Sequence, residues 1–263
     1  MSTVPYALVD SATMLSRNLK RMLRYPSLTL TLVGMPVVFL LLFTYVFGGA
    51  LGAGIGGPSG GRPEYVNYVT PTILLMTVMA AVQGTSISVA MDMTEGIVGR
   101  FRTMAIARVS VLTGHVVGSL SQTMVGLATV LGVALAVGFR PSASPLDWLL
   151  LTGVLVLMAF AFIWLSVALG LASRTVEGSG NIGMPLVLLP FLSSGFVPTD
   201  SMPTGLRWFA EYQPFTPLVE TIRGLLLGTP IGHSAALAVG WCAVIGLGGY
   251  LWSRKLFNRE STR

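Results

Sequence analysis

Charge is what this sequence has least of. Asp, Glu, Lys and Arg make up only 10% of the 263 residues, while 53% are hydrophobic. An ordinary soluble domain carries about 25% charged residues. So few charges cannot clothe a water-facing surface, so lipid must cover much of the chain. The single cysteine, Cys242, has no partner for a disulfide and gives no compartment signal. The two histidines, His115 and His233, are far apart and lack companion ligands, so no metal centre is expected. No GxxxxGK[ST] sequence occurs, which excludes a P-loop for ATP. Gly52, Gly54 and Gly57 do match GxGxxG, but they follow an apolar run and lead into Pro58, with no strand–turn–helix context. The net charge of +6 is spread between apolar runs rather than gathered in a stripe, which points away from nucleic acid. Residues 1–26 are polar and basic, unlike a cleavable signal peptide.

What the sequence has instead is length without charge. A helix needs about 20 apolar residues to cross the hydrocarbon layer. Six runs free of Asp, Glu, Lys and Arg qualify: 27–48, 66–91, 110–138, 148–172, 179–197 and 233–253. An even number of spans puts both termini on one side. With the termini inside, twelve basic residues face the cytoplasm: Arg17, Lys20, Arg21, Arg24, Arg100, Arg102, Arg108, Arg174, Arg254, Lys255, Arg259 and Arg263. Four face out: Arg62, Arg140, Arg207 and Arg223. The excess of inner positive charge sets that orientation. Tyr45, Tyr65, Tyr68 and Trp148 then mark the outer interface, Tyr25 and Trp252 the inner one. Pro36, Pro71, Pro185 and Pro190 are expected to kink or locally break their helices.

The fold expected is therefore an all-α integral membrane protein with six transmembrane helices. An N-terminal interfacial helix occupies 1–26, the membrane domain 27–253 and a cytoplasmic tail 254–263. In the first segment Leu8, Ala12, Leu15, Leu19, Met22 and Leu23 share one helical face, opposite Arg17, Lys20, Arg21 and Arg24. That amphipathicity suits a helix in the inner headgroup plane. The loop after the second run sets Phe101 between Arg100 and Arg102, with Ile97 and Met104 close by. Such a mixture fits a groove on a partner, or a helix folded against the membrane surface. The outer stretch 195–233 is too apolar for a plain loop. Its last part, 218–228, places Leu218, Ile222, Leu225 and Leu226 on one face, and Glu220 and Arg223 three residues apart, where they can pair. Too short to span, it is expected to lie on or dip into the outer leaflet as a re-entrant helix.

No Asp, Glu, Lys or Arg sits inside any run, so neither a carboxylate proton relay nor an intramembrane hydrolase is visible. Polar uncharged residues there include Gln83, Gln122, Asn181 and Ser194. They are candidates for a pathway suited to an amphiphile, or for hydrogen bonds between helices.

Two segments carry a family resemblance. The inner loop reads Glu95-Gly96 then Arg100-Phe101-Arg102, and the outer stretch reads Pro214-x-Thr216-x6-Arg223. With six spans and an amphipathic start, the whole chain resembles the permease subunits of type-2 ABC transporters, especially bacterial daunorubicin-resistance-like exporters. Ala105 stands where such permeases often have proline. The resemblance implies a subunit that is not itself an enzyme, in the cytoplasmic membrane, exporting an amphiphilic, lipid-like or drug-like cargo. ATP and Mg would be bound by a separate ABC ATPase subunit, present in two copies, beside a second permease chain, identical or paralogous. Glu95, Gly96, Arg100, Phe101, Arg102 and Met104 would form the helix that couples to the ATPase. Pro214, Thr216, Glu220 and Arg223 would belong to the short outer helices that close the exit. An ion-coupled secondary transporter and a non-transporting membrane assembly protein are the alternatives that composition leaves open.

Overall fold

The computed structural model describes residues 26–56, 61–94, 108–173 and 175–259, and every regular element among them is helical. Backbone without water must satisfy its own hydrogen bonds, and helices do so within one segment. Helix α1, Pro26–Leu42, passes through a π turn at Phe43–Phe47 into α2, Gly48–Gly56. Helices α3, α4 and α5 are Arg62–Thr94, Arg108–Val137 and Pro145–Ala172. Helix α6, Val176–Leu188, tightens into a 3-10 turn at Leu189–Leu192. After a second 3-10 turn, Thr199–Ser201, come α7, Thr204–Tyr212, α8, Phe215–Leu227, and α9, Ser234–Arg259.

Five of these stretches are long and apolar enough to cross a membrane: Val33–Ile55, Arg62–Thr94, Val116–Val137, Pro145–Ala172 and Ser234–Leu256. They fall on the first four apolar runs and the last. The fifth run is different. Its 13-residue α-helix and four-residue 3-10 turn stop at Leu192, short of the expected 197. Pro190 sits at the start of the 3-10 turn, where it removes one helical hydrogen bond, and Ser193-Ser194-Gly195 are weak helix formers. The other three prolines expected to disturb helices, Pro36, Pro71 and Pro185, lie within continuous helical segments.

Helices α3 and α5 form the centre. Each buries 72% of its most apolar window, against 22% for α1 with α2, 28% for α4 and 17% for α9. Small residues allow the close contacts. A Cβ on Gly249 of α9 would lie 2.5 Å from the Leu165 backbone nitrogen of α5. One on Gly170 of α5 would lie 2.7 Å from the Ser86 carbonyl of α3. Trp164 and Tyr250 meet edge to face at 5.0 Å beside the first contact. Polar side chains tie α3 to α5 and α6. Ser166 Oγ donates to the Val82 carbonyl, and the Ser86 and Ser179 hydroxyls lie 2.6 Å apart. Ser144 and Asp147 form a reciprocal cap at the start of α5, and Pro145, next after Ser144, takes a first-turn position where its missing N–H costs nothing.

Candidate functional site

Where the fifth run breaks, the chain has a physical problem. From Ser193 to Val197 the backbone leaves helical geometry while Ser193, Ser194, Gly195 and Phe196 stay buried. Each buried carbonyl then needs a donor from elsewhere. Side chains of α3, α8 and the α7–α8 link supply them. Gln213 Nε2 donates to the Leu192 carbonyl. Tyr68 Oη and Arg223 Nη2 both donate to the Ser194 carbonyl, at 2.7 and 3.1 Å. Thr72 Oγ1 donates to the Gly195 carbonyl at 2.8 Å, and Tyr65 Oη to that of Phe196 at 3.4 Å. The Ser194 N–H donates to Thr216 Oγ1 at 3.1 Å. Ser193 Oγ closes the segment on itself, donating to the Pro190 carbonyl and accepting from the Gly195 N–H.

Helical periodicity explains why these residues converge. Tyr65, Tyr68 and Thr72 stand at i, i+3 and i+7 on α3, and Thr216 and Arg223 at i and i+7 on α8, so each set lies on one face. Gly195 is required by contact: a Cβ there would sit 2.5 Å from Thr72 Cγ2. Phe191 and Phe196 bracket the break and stack at 4.7 Å, and Phe43 of the π turn lies 4.5 Å from Phe196. On the other side Phe215 stacks on Phe162 at 5.7 Å and ties α8 to α5. Gly228, with a φ of 66°, ends α8 in the left-handed conformation glycine favours.

Arg223 is the hub. Its guanidinium lies 3.9 Å from the Tyr68 ring centroid, and Nη2 also donates to the Tyr68 carbonyl at 3.2 Å. Nε is buried with no partner among the described residues, as are Ser194 Oγ and Gln213 Oε1. The pairing of Arg223 with Glu220 expected from their spacing is not formed. Glu220 instead accepts from Ser234 Oγ at the start of α9, at 2.6 Å. Backbone carbonyls and an aromatic face lie on one side of α8 and the α9 terminus on another, so each charge finds a nearer partner. The apolar face of α8 is also placed differently. Leu218, Ile222, Leu225 and Leu226 are packed inside the protein rather than turned to lipid. Likewise Tyr65 and Tyr68 do not act as interface markers: Tyr65 is fully buried, and both hydroxyls are committed to carbonyls.

Ahead of this site, α7 is laced on one side by Arg207, which lies 2.8 Å from Asp200 and 2.7 Å from Glu211. The Glu211 hydrogen bond, then the Asp200 charge, push the Arg207 guanidinium above its ordinary range. Among the pathway candidates, Ser194 sits in the knot. Gln83 makes a long 3.4 Å bond to the Gly180 carbonyl, joining α3 to α6. Gln122 is half-buried on α4 and Asn181 is exposed on α6. The four do not converge on one cavity. Arg17, Lys20, Arg21 and Arg24 lie outside the described residues, as do Glu95, Gly96, Arg100, Phe101, Arg102 and Met104. The sequence reading did not single out Thr72 or Gln213. The signal available for Thr72 was hydroxyl groups repeating at helical spacing on α3, opposite a Ser-Ser-Gly break.

The family model described as ABC-2 type transporter matches residues 11–227. The chain is 30% identical over 243 residues to the daunorubicin resistance ABC transporter permease protein DrrB1 of Streptomyces coeruleorubidus, covering 90% of this chain and 83% of that one. It is 23% identical over 219 residues to the probable doxorubicin resistance ABC transporter permease protein DrrC of Mycobacterium tuberculosis, covering 82% and 77%. The matched span runs through every described helix up to α8 and takes in the knot around Arg223, so the chain belongs to the ABC-2 type transporter family as a multi-pass permease subunit that works with an ABC ATPase.

Proposed function

We propose that this chain is one half of the membrane pathway of an ATP-driven exporter that moves amphiphilic, lipid-like or drug-like molecules out across the cytoplasmic membrane. Both termini face the cytoplasm, following the bias of basic residues. The helix Val176–Leu192 serves as the fifth of six spans, and α7 and α8 form the outer re-entrant segment that completes its crossing. Two permease chains, identical or paralogous, face each other above two ATPase subunits, which bind ATP and Mg. The segment Glu95–Met104 docks on the ATPase, and residues 1–26 lie in the inner headgroup layer.

The observation that carries this reading is the irregular, buried segment Ser193–Phe196. Non-helical backbone at membrane depth is tolerated where protein surrounds it, and broken spans of this kind are typical of transport pathways. Here α3 and α8 hold the break through side-chain hydrogen bonds to its peptide groups. The test is ATP-dependent uptake of a fluorescent amphiphile into everted vesicles containing this chain and its ATPase. Uptake is expected to vanish when the ATPase loses its Walker lysine. Uptake driven by a proton or sodium gradient without ATP would overturn the reading.

A further inference from the structure

The π turn at Phe43–Phe47 adds one residue to the helical repeat, and that residue decides which side of α2 meets α3. Gly48 and Gly52, one turn apart on α2, face the chain at the start of α3. A Cβ on Gly52 would lie 2.1 Å from the Gly61 carbonyl oxygen, and one on Gly48 3.3 Å from Arg62 Cγ. Leu40 on α1 is fully buried, so α1 is held in place and α2 is the part free to turn. Without the extra residue, each position of α2 would move round the axis by about 100°. Phe47 and Leu51 would then take the places of Gly48 and Gly52. Neither side chain fits against backbone at that distance, so α2 docks only in the π register. Tyr45, within the turn, fastens the same junction, with its ring centroid 4.9 Å from the Arg62 guanidinium carbon.

Thr44 is the residue out of place. It is fully buried in the π turn, and its Oγ1 has no partner among the described residues. Seven threonines in the described helices, from Thr70 to Thr221, each donate to the carbonyl four residues back. An α-helical turn offers Thr44 the Leu40 carbonyl in the same way. A buried hydroxyl that is idle in one register and bonded in the other favours the second. The docking of α2 and the Tyr45–Arg62 contact oppose that preference. Phe43 connects the turn to the knot, since its ring lies 4.5 Å from that of Phe196 in the broken segment. We propose that the π turn is a register switch: Thr44 takes the Leu40 carbonyl as the turn becomes α-helical, and α2 leaves Gly61 and Arg62, opening the outer edge of the pathway during transport. The inference rests on the export reading, and it makes Thr44 a positioning residue for that cycle.

The test uses the permease with its ATPase in nanodiscs. Leu51 is half-buried and packed against the core, so Leu51→Cys reports docking of α2 through its rate of labelling by a thiol-reactive dye. The chain without that cysteine is the blank, because Cys242 is buried. Labelling is expected to rise several-fold when ATP and vanadate trap the complex. Thr44→Val keeps the shape and loses the hydroxyl, and should cut that rise about tenfold, as loss of one hydrogen bond from the α register gives. Without nucleotide the same variant should melt about 2–4 °C higher, because an idle buried hydroxyl has gone. Thr44→Ser keeps the hydroxyl and should behave as the wild type in both assays. Labelling that nucleotide leaves unchanged in the wild type, a lower Tm in Thr44→Val, or loss of the rise in Thr44→Ser overturns the switch. ATP-driven uptake is measured on the same complexes in everted vesicles. Uptake with labelling unmoved by nucleotide rejects the switch alone, whereas labelling that nucleotide moves, without uptake, rejects the export reading alone.

Discussion

Arg223→Met removes the cation at the centre of the knot. The side chain gives two charged hydrogen bonds to carbonyls, at 3.1 and 3.2 Å, and lies on the Tyr68 ring at 3.9 Å. A hydrogen bond to a charged group is worth about 1.5–3 kcal/mol, and a cation on an aromatic face about 0.5–2 kcal/mol. The full sum is not lost. The Ser194 carbonyl keeps the Tyr68 hydroxyl, so no acceptor is orphaned there, and methionine sheds the cost of holding a charge away from water. A net loss of about 2–3 kcal/mol follows, or about 5–10 °C in Tm for a chain of this size. Cys242 is the only cysteine and is buried. Labelling by a thiol-reactive dye during heating in detergent therefore reports unfolding at the α5–α9 contact.

A double-mutant cycle separates the partners. Arg223→Met with Tyr68→Leu should couple by about 1 kcal/mol, because each removes the other's contact. Arg223→Met with Glu220→Gln should be additive within about 0.5 kcal/mol, since Glu220 is held by Ser234. Exchanging the two residues should not rescue stability or transport. Strong coupling to Glu220 with none to Tyr68 would refute the knot and restore the ion pair that helical spacing suggests.

Three further outcomes are expected. Gly249→Ala places a Cβ 2.5 Å from the Leu165 backbone nitrogen, which cannot yield as a side chain would, and should cost about 1–3 kcal/mol in the same dye assay. Ser144→Ala removes the cap of α5 and should cost about 1 kcal/mol, while Ser144→Thr should keep most of it. Phe101→Asp should abolish copurification of the ATPase without affecting membrane insertion, because an unpaired charge would be buried at the docking surface; an intact complex would remove Phe101 from the coupling segment.

The helices were legible because lipid imposes a simple rule, about 20 residues without charge. Five of the six runs overlap helices of sufficient length, although the first runs on past its expected end at 48 to Ile55. The fifth was overrun because hydropathy does not register backbone geometry. Phe191 to Val197 is as apolar as a span requires, yet Pro190 and the Ser-Ser-Gly that follows end the helix at Leu192. Pro36, Pro71 and Pro185 show the converse. Each lies inside a helix that continues past it, so proline alone does not end a helix.

The site was half legible, and the missing half has one cause. In water, an apolar helical face points to the core. In a membrane, lipid and protein interior are equally apolar, so Leu218, Ile222, Leu225 and Leu226 cannot tell which they meet. They meet protein. The orientation of α8 was written instead in its hydrogen-bonding residues: Thr216 and Arg223, seven apart, share the face that meets the broken segment. Tyr65, Tyr68 and Thr72 repeat the pattern on α3. Read alone, two tyrosines near a span end suggest an interfacial belt. Read against Ser193-Ser194-Gly195, they are donors spaced for a run of carbonyls that has lost its own helix. In a chain this poor in charge, polar side chains at helical spacing opposite a helix-breaking sequence identify the interior face, because an unsatisfied peptide group is the one thing that neither lipid nor a packed core will accept.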